Sequence, residues 1–218
     1  MFDIDKVLKI LVKEVKNYQV PVVDFIEVQT KDPFKVLVAT ILSARTNDLT
    51  TTKACRKLFE KVNKPKDLEK LSIKEIEELI YPVGFYKNKA KFLKKLPDAL
   101  KQYNYEVPKT IEELIELPGV GRKTANLVLV IAYKTPAICV DTHVHRIMNI
   151  WGYVNTKTPF ETEMALRKKL PKKHWLNVNS TLVAFGQHLC RPIGPHCDVC
   201  PIEKYCPKNN IKNKTTKK

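Results

Sequence analysis

Apolar residues recur at helical spacing along almost the whole chain, and no segment alternates apolar and polar residues as a half-exposed strand does. Between residues 3 and 17, apolar side chains occupy positions 4, 7, 8, 11, 12 and 15, which fall on one face of a helix. The same spacing predicts further helices over 48–62, 87–103, 122–133, 142–151 and 174–189. The pattern therefore predicts an all-α protein of about ten helices with short connections.

Polar residues mark the points where several of these helices begin. Asp32 is followed by Pro33, which places a capping residue and a first-turn proline ahead of an apolar run. A serine or threonine followed three residues later by glutamate is the pattern of a capping box. It occurs at three further places, namely Ser72 with Glu75, Thr110 with Glu113, and Thr158 with Glu161. These start signals agree with the helical spacing.

Length and composition indicate a folded protein with a polyanionic partner. With 218 residues, of which 44% are hydrophobic, the chain can form a core as one domain or two small lobes. It has neither a run of about 18 apolar residues nor a signal peptide, which predicts a cytoplasmic protein without a membrane span. The net charge of +16 favours nucleic acid as the partner, although a lysine-rich surface alone gives the same bias. Residues 208–218 are polar and basic and predict a flexible tail.

Four of the six cysteines are close together near the end of the sequence, at Cys190, Cys197, Cys200 and Cys206. Four thiolates at this spacing, C-x6-C-x2-C-x5-C, can hold one metal centre. A zinc ribbon usually has two C-x2-C pairs and this segment has one, while its three prolines and one glycine suit a loop around a compact cluster. The residues favour a [4Fe-4S] cluster over zinc, with disulfides third because the cytoplasm is reducing. The two isolated cysteines, Cys55 and Cys139, are expected to be buried.

Two of the six glycines, Gly119 and Gly121, flank Val120 in the segment LPGVGRKTA between two predicted helices. Glycine permits positive φ and close approach to another surface, and the helix that follows offers backbone N–H groups to a phosphate. A bare G-x-G between helices is more often an ordinary helical hairpin. Here Arg122 and Lys123 follow it in a basic chain with a metal-binding run, which favours contact with a DNA backbone.

Three motifs together resemble the endonuclease III family of helix–hairpin–helix DNA glycosylases: LPGVGRKTA, then VDTHVHR at 140–146, then the cysteine run. The resemblance extends over about residues 32–206. It implies a bifunctional DNA glycosylase and abasic-site lyase that removes oxidised pyrimidines in base excision repair. The expected partner is double-stranded DNA containing damaged bases or abasic sites, and the protein is expected to be a monomer, associated with the nucleoid if it is prokaryotic.

The same resemblance implies two helical lobes and a cluster. A six-helix lobe over 25–135 is expected to contain the hairpin at 110–133. Residues 1–24 and 136–218 are expected to form a second lobe that holds a [4Fe-4S] cluster on the four cysteines.

The catalytic residues are carried over by position. Lys123 in LPGVGRKTA matches the family's nucleophile, and Asp141 in VDTH matches its partner. A neutral lysine amine can attack C1′ of a damaged nucleotide and form a Schiff base, which permits β-elimination. Partial burial and Arg122 are expected to help the amine lose its proton, and the carboxylate can accept a proton or stabilise positive charge on the sugar. The alternatives are that Lys123 only holds a phosphate and that Asp141 only caps a helix.

Three further residues are expected to contact DNA. Arg45, in ILSARTND, stands where the family has glutamine, and Phe85, in GFYKNKA, stands where it has leucine. Such residues fill the gap that an extruded nucleotide leaves, although a plain surface or core role is the alternative for both. Arg191, with His196 in the same loop, is expected to contact phosphates, and His143 is expected to pack or to form hydrogen bonds.

Other functions remain open at this point. A monofunctional G·T or G·U mismatch glycosylase usually has another residue at the lysine position, so Lys123 argues against it. An adenine-mismatch glycosylase also lacks the lysine and usually has a further C-terminal domain. A non-enzymatic, cluster-bearing DNA-binding protein needs the hairpin and the cysteines but not both Lys123 and Asp141.

Overall fold

The computed structural model describes residues 2–18 and 32–211. Both ranges are helical with no strand, which confirms the predicted all-α fold. The eleven α-helices of these ranges are α1 (Ile4–Glu14), α2 (Pro33–Ser43), α3 (Asp48–Lys61), α4 (Pro65–Glu69), α5 (Ile73–Ile80), α6 (Tyr86–Leu100), α7 (Ile111–Ile115), α8 (Arg122–Tyr133), α9 (Thr142–Ile150), α10 (Pro159–Lys169) and α11 (Val178–His188). Short 3-10 turns lie at Val15–Asn17, Lys101–Tyr103, Lys172–His174 and Glu203–Tyr205. None of the described helices is long and apolar enough to cross a bilayer.

The predicted start signals cap their helices. Ser72 and Glu75 form a complete capping box, in which the Ser72 hydroxyl accepts from the Glu75 amide and the Glu75 carboxylate accepts from the Ser72 amide. Thr110 caps α7, but the Glu113 carboxylate accepts from the threonine hydroxyl at 2.6 Å instead of from the backbone. Thr158 caps α10 while the corresponding glutamate accepts from the amide that precedes the cap. One of the three predicted boxes is therefore complete, because the other two glutamates bond elsewhere.

The chain divides into two compact units, Met1–Val20 with Ile138–Lys218, and Pro21–Ala137. The boundary predicted at residues 24–25, and the predicted tail from residue 212 onwards, lie outside the described residues. Residues 208 and 209, the first two of the tail predicted over 208–218, are attached to the unit that contains both termini, since the Asn209 amide donates to the Ile150 carbonyl at 3.1 Å and Lys208 pairs with Glu203 at 2.7 Å.

The unit formed by both termini has its core around α9 and α11, which pack against each other, with α1 packed on α11. Trp151, Trp175 and Phe185 are buried in this core. Cys139 is buried in the same unit, as predicted. Asp5 joins α1 to the turn at 172–174, where its carboxylate accepts from Lys173 Nζ at 2.5 Å and contacts His174 Nε2 at 2.6 Å.

The unit Pro21–Ala137 is built around α2, which packs against α3, α6 and α8. Every residue from Phe34 to Leu42 is buried except Lys35, so this helix is buried on nearly all sides. Cys55 is buried in this unit, as predicted. The residues that follow α2 and precede α6 and α8 are held by this packing, and they carry several of the predicted site residues.

Candidate active site and metal centre

The glycine pair lies in a tight turn between α7 and α8. The Val120 amide donates to the Leu117 carbonyl at 3.1 Å. Gly119 has φ of +78°, and a Cβ there would lie 2.7 Å from the Phe92 ring. Gly121 has φ of −95°, so it does not need glycine's left-handed freedom, but a Cβ there would meet nothing within 4 Å. The turn therefore needs Gly119 for its conformation, while Gly121 leaves open space in front of α8.

The first turn of α8 carries Arg122 and Lys123. Gly121 is the N-cap residue and has no side chain, so it leaves the first backbone N–H groups of the helix without a side-chain cap. Such a helix start favours an anionic ligand. Lys123 is exposed, so the partial burial expected for it is not observed in this structure.

Asp141 is the N-cap residue of α9, and its Oδ1 accepts from the Val144 amide at 2.9 Å. The capping role considered for Asp141 is therefore confirmed, and it fixes the orientation of the carboxylate. Asp141 belongs to the unit that also contains Arg191 and the four cysteines. Lys123 belongs to the unit that contains Arg45 and Phe85.

His143 and Arg146 connect α9 to the cysteine run. His143 Nδ1 lies 3.1 Å from the Arg146 guanidinium, and the His143 ring packs against Gly186, where a Cβ would collide with it. Arg146 donates to the Cys190 carbonyl at 2.8 Å and lies 3.8 Å from the Cys190 sulfur. The packing and hydrogen-bonding role expected of His143 is confirmed. Arg146 was not predicted from the sequence, although it lies one helical turn after His143.

Arg45 and Phe85 lie together although forty residues separate them in sequence. The guanidinium carbon of Arg45 is 5.6 Å from the centroid of the Phe85 ring. Arg45 is exposed and 60% of the Phe85 surface is exposed, so the core role considered for them is wrong. Both have a left-handed backbone, with φ of 54° and 57°, which is uncommon for residues other than glycine. The structure thus presents an aromatic ring and a guanidinium group side by side to solvent.

All four cysteines of the run line one recess, together with apolar side chains that include Trp151, Phe185 and Ile202. Each is a free thiol. Burial raises the pKa of the Cys190 and Cys206 thiols and raises that of Cys200 to about 11, so a cation in the recess would be needed to hold them as thiolates. Among residues 2–18 and 32–211, no three His, Cys, Asp or Glu side chains are placed to hold a single metal ion. Four thiols on one recess match the donor set of a cluster.

Arg191 lies in the loop between the first two of these cysteines and contacts the His196 ring. Its Nε is buried without a hydrogen-bond partner. With Arg146 and His145 it lines a cavity of about 450 Å³. The loop therefore brings the two predicted phosphate donors, Arg191 and His196, into contact with each other.

Most of the chain is similar to known proteins. The family model described as HhH-GPD superfamily base excision DNA repair protein matches residues 38–172. Endonuclease III of Thermotoga maritima is 44% identical over 191 residues, which are 84% of this chain and 90% of that protein. Endonuclease III of Bacillus subtilis is 37% identical over 190 residues, which are 86% of this chain and 87% of that protein. A solved structure of a trapped endonuclease III–DNA covalent intermediate is similar with a TM-score of 0.83 and 35% identity, and the match covers 95% of this chain and 97% of that one.

Proposed function

The chain belongs to the endonuclease III family within the HhH-GPD superfamily of base excision DNA repair proteins, and we propose that it removes oxidised pyrimidines as a bifunctional DNA glycosylase and abasic-site lyase. The observation that carries this proposal is Lys123, an exposed lysine in the first turn of α8, directly after the glycine turn. A primary amine at this point can form a Schiff base with a sugar, which a monofunctional mismatch glycosylase does not require.

The glycine turn and the start of α8 bind the DNA backbone. A phosphate needs hydrogen-bond donors and positive charge, and the first turn of α8 offers backbone N–H groups together with Arg122. The open space at Gly121 allows the nucleic acid to approach the backbone closely. Contact of this kind does not depend on base sequence, so the enzyme can search undamaged duplex DNA.

Lys123 performs both chemical steps. Its neutral amine attacks C1′ of the damaged nucleotide, and the base leaves with the electron pair of the glycosidic bond and takes up a proton. Opening of the sugar ring gives a Schiff base between Nζ and C1′. Because the Schiff base withdraws electrons, a proton can leave C2′ and the C3′–O bond breaks, which releases the 3′ phosphate. Water then hydrolyses the Schiff base and restores the lysine.

Asp141 supports the first of these steps. Its carboxylate accepts a proton from the reacting groups or stabilises the positive charge that develops on the sugar. Its hydrogen bond to the Val144 amide holds the carboxylate in one orientation, so the capping role and the catalytic role are compatible.

Arg45 and Phe85 fill the gap that the extruded nucleotide leaves in the duplex. The Phe85 ring can enter the base stack as an apolar wedge, and the Arg45 guanidinium can stack or donate hydrogen bonds to the orphaned base. Their exposure and mutual contact support this role. Arginine in place of the family's glutamine changes the donors offered to the opposite base, so the opposite-base preference is expected to differ from that of family members with glutamine.

The four cysteines would hold a [4Fe-4S] cluster, which would cross-link the loop and supply a redox-active centre. The residues of this site fit a [4Fe-4S] cluster, since all four thiols line one recess walled by apolar side chains. Arg146 supports the first cysteine through its carbonyl. The loop that follows presents Arg191 and His196 to DNA phosphates. The cluster takes no part in the steps at the sugar.

Borohydride trapping tests the proposal. The protein is mixed with duplex DNA containing thymine glycol, a G·T mismatch or 8-oxoguanine, and reductant is added to convert a Schiff base to a stable amine. A covalent band is expected with thymine glycol for the wild type and for Lys61→Ala, a substitution of another exposed lysine in the same unit, and no band for Lys123→Ala. Base release without trapping would identify a monofunctional glycosylase, and binding with neither would identify a non-enzymatic protein.

A further inference from the structure

Lys89 is a buried lysine near the start of α6, and only 5% of its surface is exposed. Its Nζ donates to the Leu42 carbonyl at 2.8 Å, to the Ala44 carbonyl at 2.6 Å and to the Thr46 hydroxyl at 3.2 Å. An ammonium group has three donors, so these three acceptors satisfy it completely. Burial lowers the pKa of Lys89 to about 8, which is the ordinary consequence of removing a cation from water.

The acceptors of Lys89 belong to the end of α2 and the turn that follows it. The last carbonyls of a helix have no partner within the helix and carry the negative end of its dipole, so a cation is favourable there. Leu42 is in the last turn of α2 and Ala44 is its C-cap residue. Lys89 therefore fixes the backbone that leaves α2 on both sides of Arg45, at Ala44 and at Thr46.

The same turn is joined to the segment before α6. The Thr46 hydroxyl, which accepts from Lys89, also accepts from the Gly84 amide at 3.1 Å. The two backbones are in direct contact, since a Cβ on Gly84 would lie 2.5 Å from the Arg45 carbonyl oxygen. Arg45 and Phe85 are thus held beside each other by contacts that converge on Lys89.

Both residues of this pair have the left-handed backbone described above, which is strained for residues other than glycine and persists only when surrounding structure imposes it. Lys89 and Thr46 supply hydrogen bonds that impose it on Arg45. Without them, Arg45 can relax to an ordinary backbone conformation and its side chain leaves the Phe85 ring.

We propose that Lys89 is a positioning residue that holds Arg45 and Phe85 as a preassembled pair for insertion into DNA. Side chains that are already ordered lose less conformational entropy on binding, so the pair enters the duplex at lower cost than two independent residues. The inference rests on the proposed function, because it gives Lys89 a role only if the pair enters DNA.

Lys94 provides a matched control for the test. It lies on the same helix, and its Nζ likewise has three acceptors, in this case the backbone carbonyls of Leu68 (3.4 Å), Glu69 (2.9 Å) and Leu71 (2.7 Å). Leu68 and Glu69 are the last two residues of the short helix α4, and Leu71 follows it, so these acceptors are distant in sequence from the segments that carry Arg45 and Phe85. Replacing each lysine by methionine removes an ammonium group of the same kind and keeps most of the side chain.

The experiment measures the single-turnover rate of thymine glycol excision from duplex DNA by Lys89→Met and Lys94→Met, together with the urea unfolding midpoint of each. We expect Lys89→Met to lower the rate about tenfold and Lys94→Met to change it less than about twofold. The same substitution is then made in an Arg45→Ala, Phe85→Ala background. If Lys89 acts through the pair, Lys89→Met lowers the rate of that background less than about twofold, since the partner residues are already gone.

Two results would overturn the inference while leaving the proposed function intact: equal rates for the two lysine variants, or a tenfold loss that persists in the double-alanine background. A wild type that excises nothing would instead overturn the proposed function. If Lys89→Met fails to fold, Thr46→Val replaces it, because it removes the hydroxyl that joins Lys89 to Gly84 and keeps the side-chain shape. Thr46→Val is expected to show the same dependence on the background, and an equal effect in both backgrounds would contradict the inference.

Discussion

Alanine substitutions at the two glycines of the hairpin are expected to have different effects: at Gly119 a loss of folding stability, and at Gly121 a loss of affinity for DNA. Gly119→Ala places a side chain at φ of +78°, which costs an L-residue roughly 1–2 kcal/mol. The new Cβ also lies 2.7 Å from the Phe92 ring, and since 38% of Phe92 is exposed, the ring can move at a cost near the low end of overpacking, about 1 kcal/mol. Alanine restricts the unfolded chain and offsets about 0.4–1 kcal/mol. The expected loss of stability is therefore about 2 kcal/mol.

Gly121→Ala has a different expected result. The residue has φ of −95° and a Cβ there meets nothing within 4 Å, so the folded structure accommodates alanine without strain. Alanine is a poorer N-cap than glycine by several tenths of a kcal/mol, and its restriction of the unfolded chain offsets a similar amount, which leaves a net change of about 0.5 kcal/mol or less. The added methyl group occupies the space through which a DNA backbone approaches, so affinity for duplex DNA is expected to fall about tenfold, or ~1.4 kcal/mol.

Urea unfolding followed by circular dichroism measures the first quantity, and fluorescence anisotropy with labelled duplex DNA at fixed salt measures the second. Phe92→Ala provides the control for Gly119, because without the ring only the backbone strain remains and the cost of Gly119→Ala falls by about 1 kcal/mol. Wild-type affinity in Gly121→Ala would refute the assignment of the hairpin as the DNA-backbone site. An unchanged free energy of unfolding in Gly119→Ala would refute the conformational argument.

Three further predictions follow from the sites. Asp141→Asn keeps an oxygen that can cap α9, so unfolding by urea is expected to change by about 0.5 kcal/mol or less, while single-turnover excision falls about 100-fold; an unchanged rate would leave Asp141 as a cap alone. Because the folded pKa of Lys89, about 8, lies below its unfolded value of 10.5, the folded state loses this proton first. The free energy of unfolding of the wild type relative to Lys89→Met is therefore expected to rise between pH 8 and 10.5, and a constant difference would contradict the assigned pKa. Iron and acid-labile sulfide are expected at about four of each per chain, and stoichiometric zinc would contradict the cluster.

The sequence alone predicted those features whose determinants lie within a few residues of each other, such as the starts of helices. The cap residues Asp32 and Ser72 accept hydrogen bonds from amides two and three residues further along the chain. These helix starts could therefore be predicted from short segments of sequence. The glycine turn between α7 and α8 was predicted for the same reason, since its residues are consecutive in the chain. The exposure of Lys123 was not predicted, because it depends on how the first turn of α8 is presented after folding.

The pairing of Arg45 with Phe85 could not be read from the sequence in the same way, since packing of α2 against α6 creates it. Lys89 was missed because it stands in a lysine-rich stretch, KNKAKFLKK, that resembles a solvated face. A signal was nevertheless present: positions 89, 93, 96 and 100 share one helical face, and the other three are buried leucines. A lysine on the apolar stripe of a helix predicts a buried cation with specific acceptors.

Lys123 is expected to be the amine that becomes covalently attached to the sugar. Reduction of the protein with thymine glycol duplex by borohydride, followed by nuclease and protease digestion and mass spectrometry of the adduct, identifies the attached residue directly. The sugar fragment is expected on Lys123, in the peptide that follows the glycine turn. An adduct on another lysine or on the N-terminal amine would contradict it.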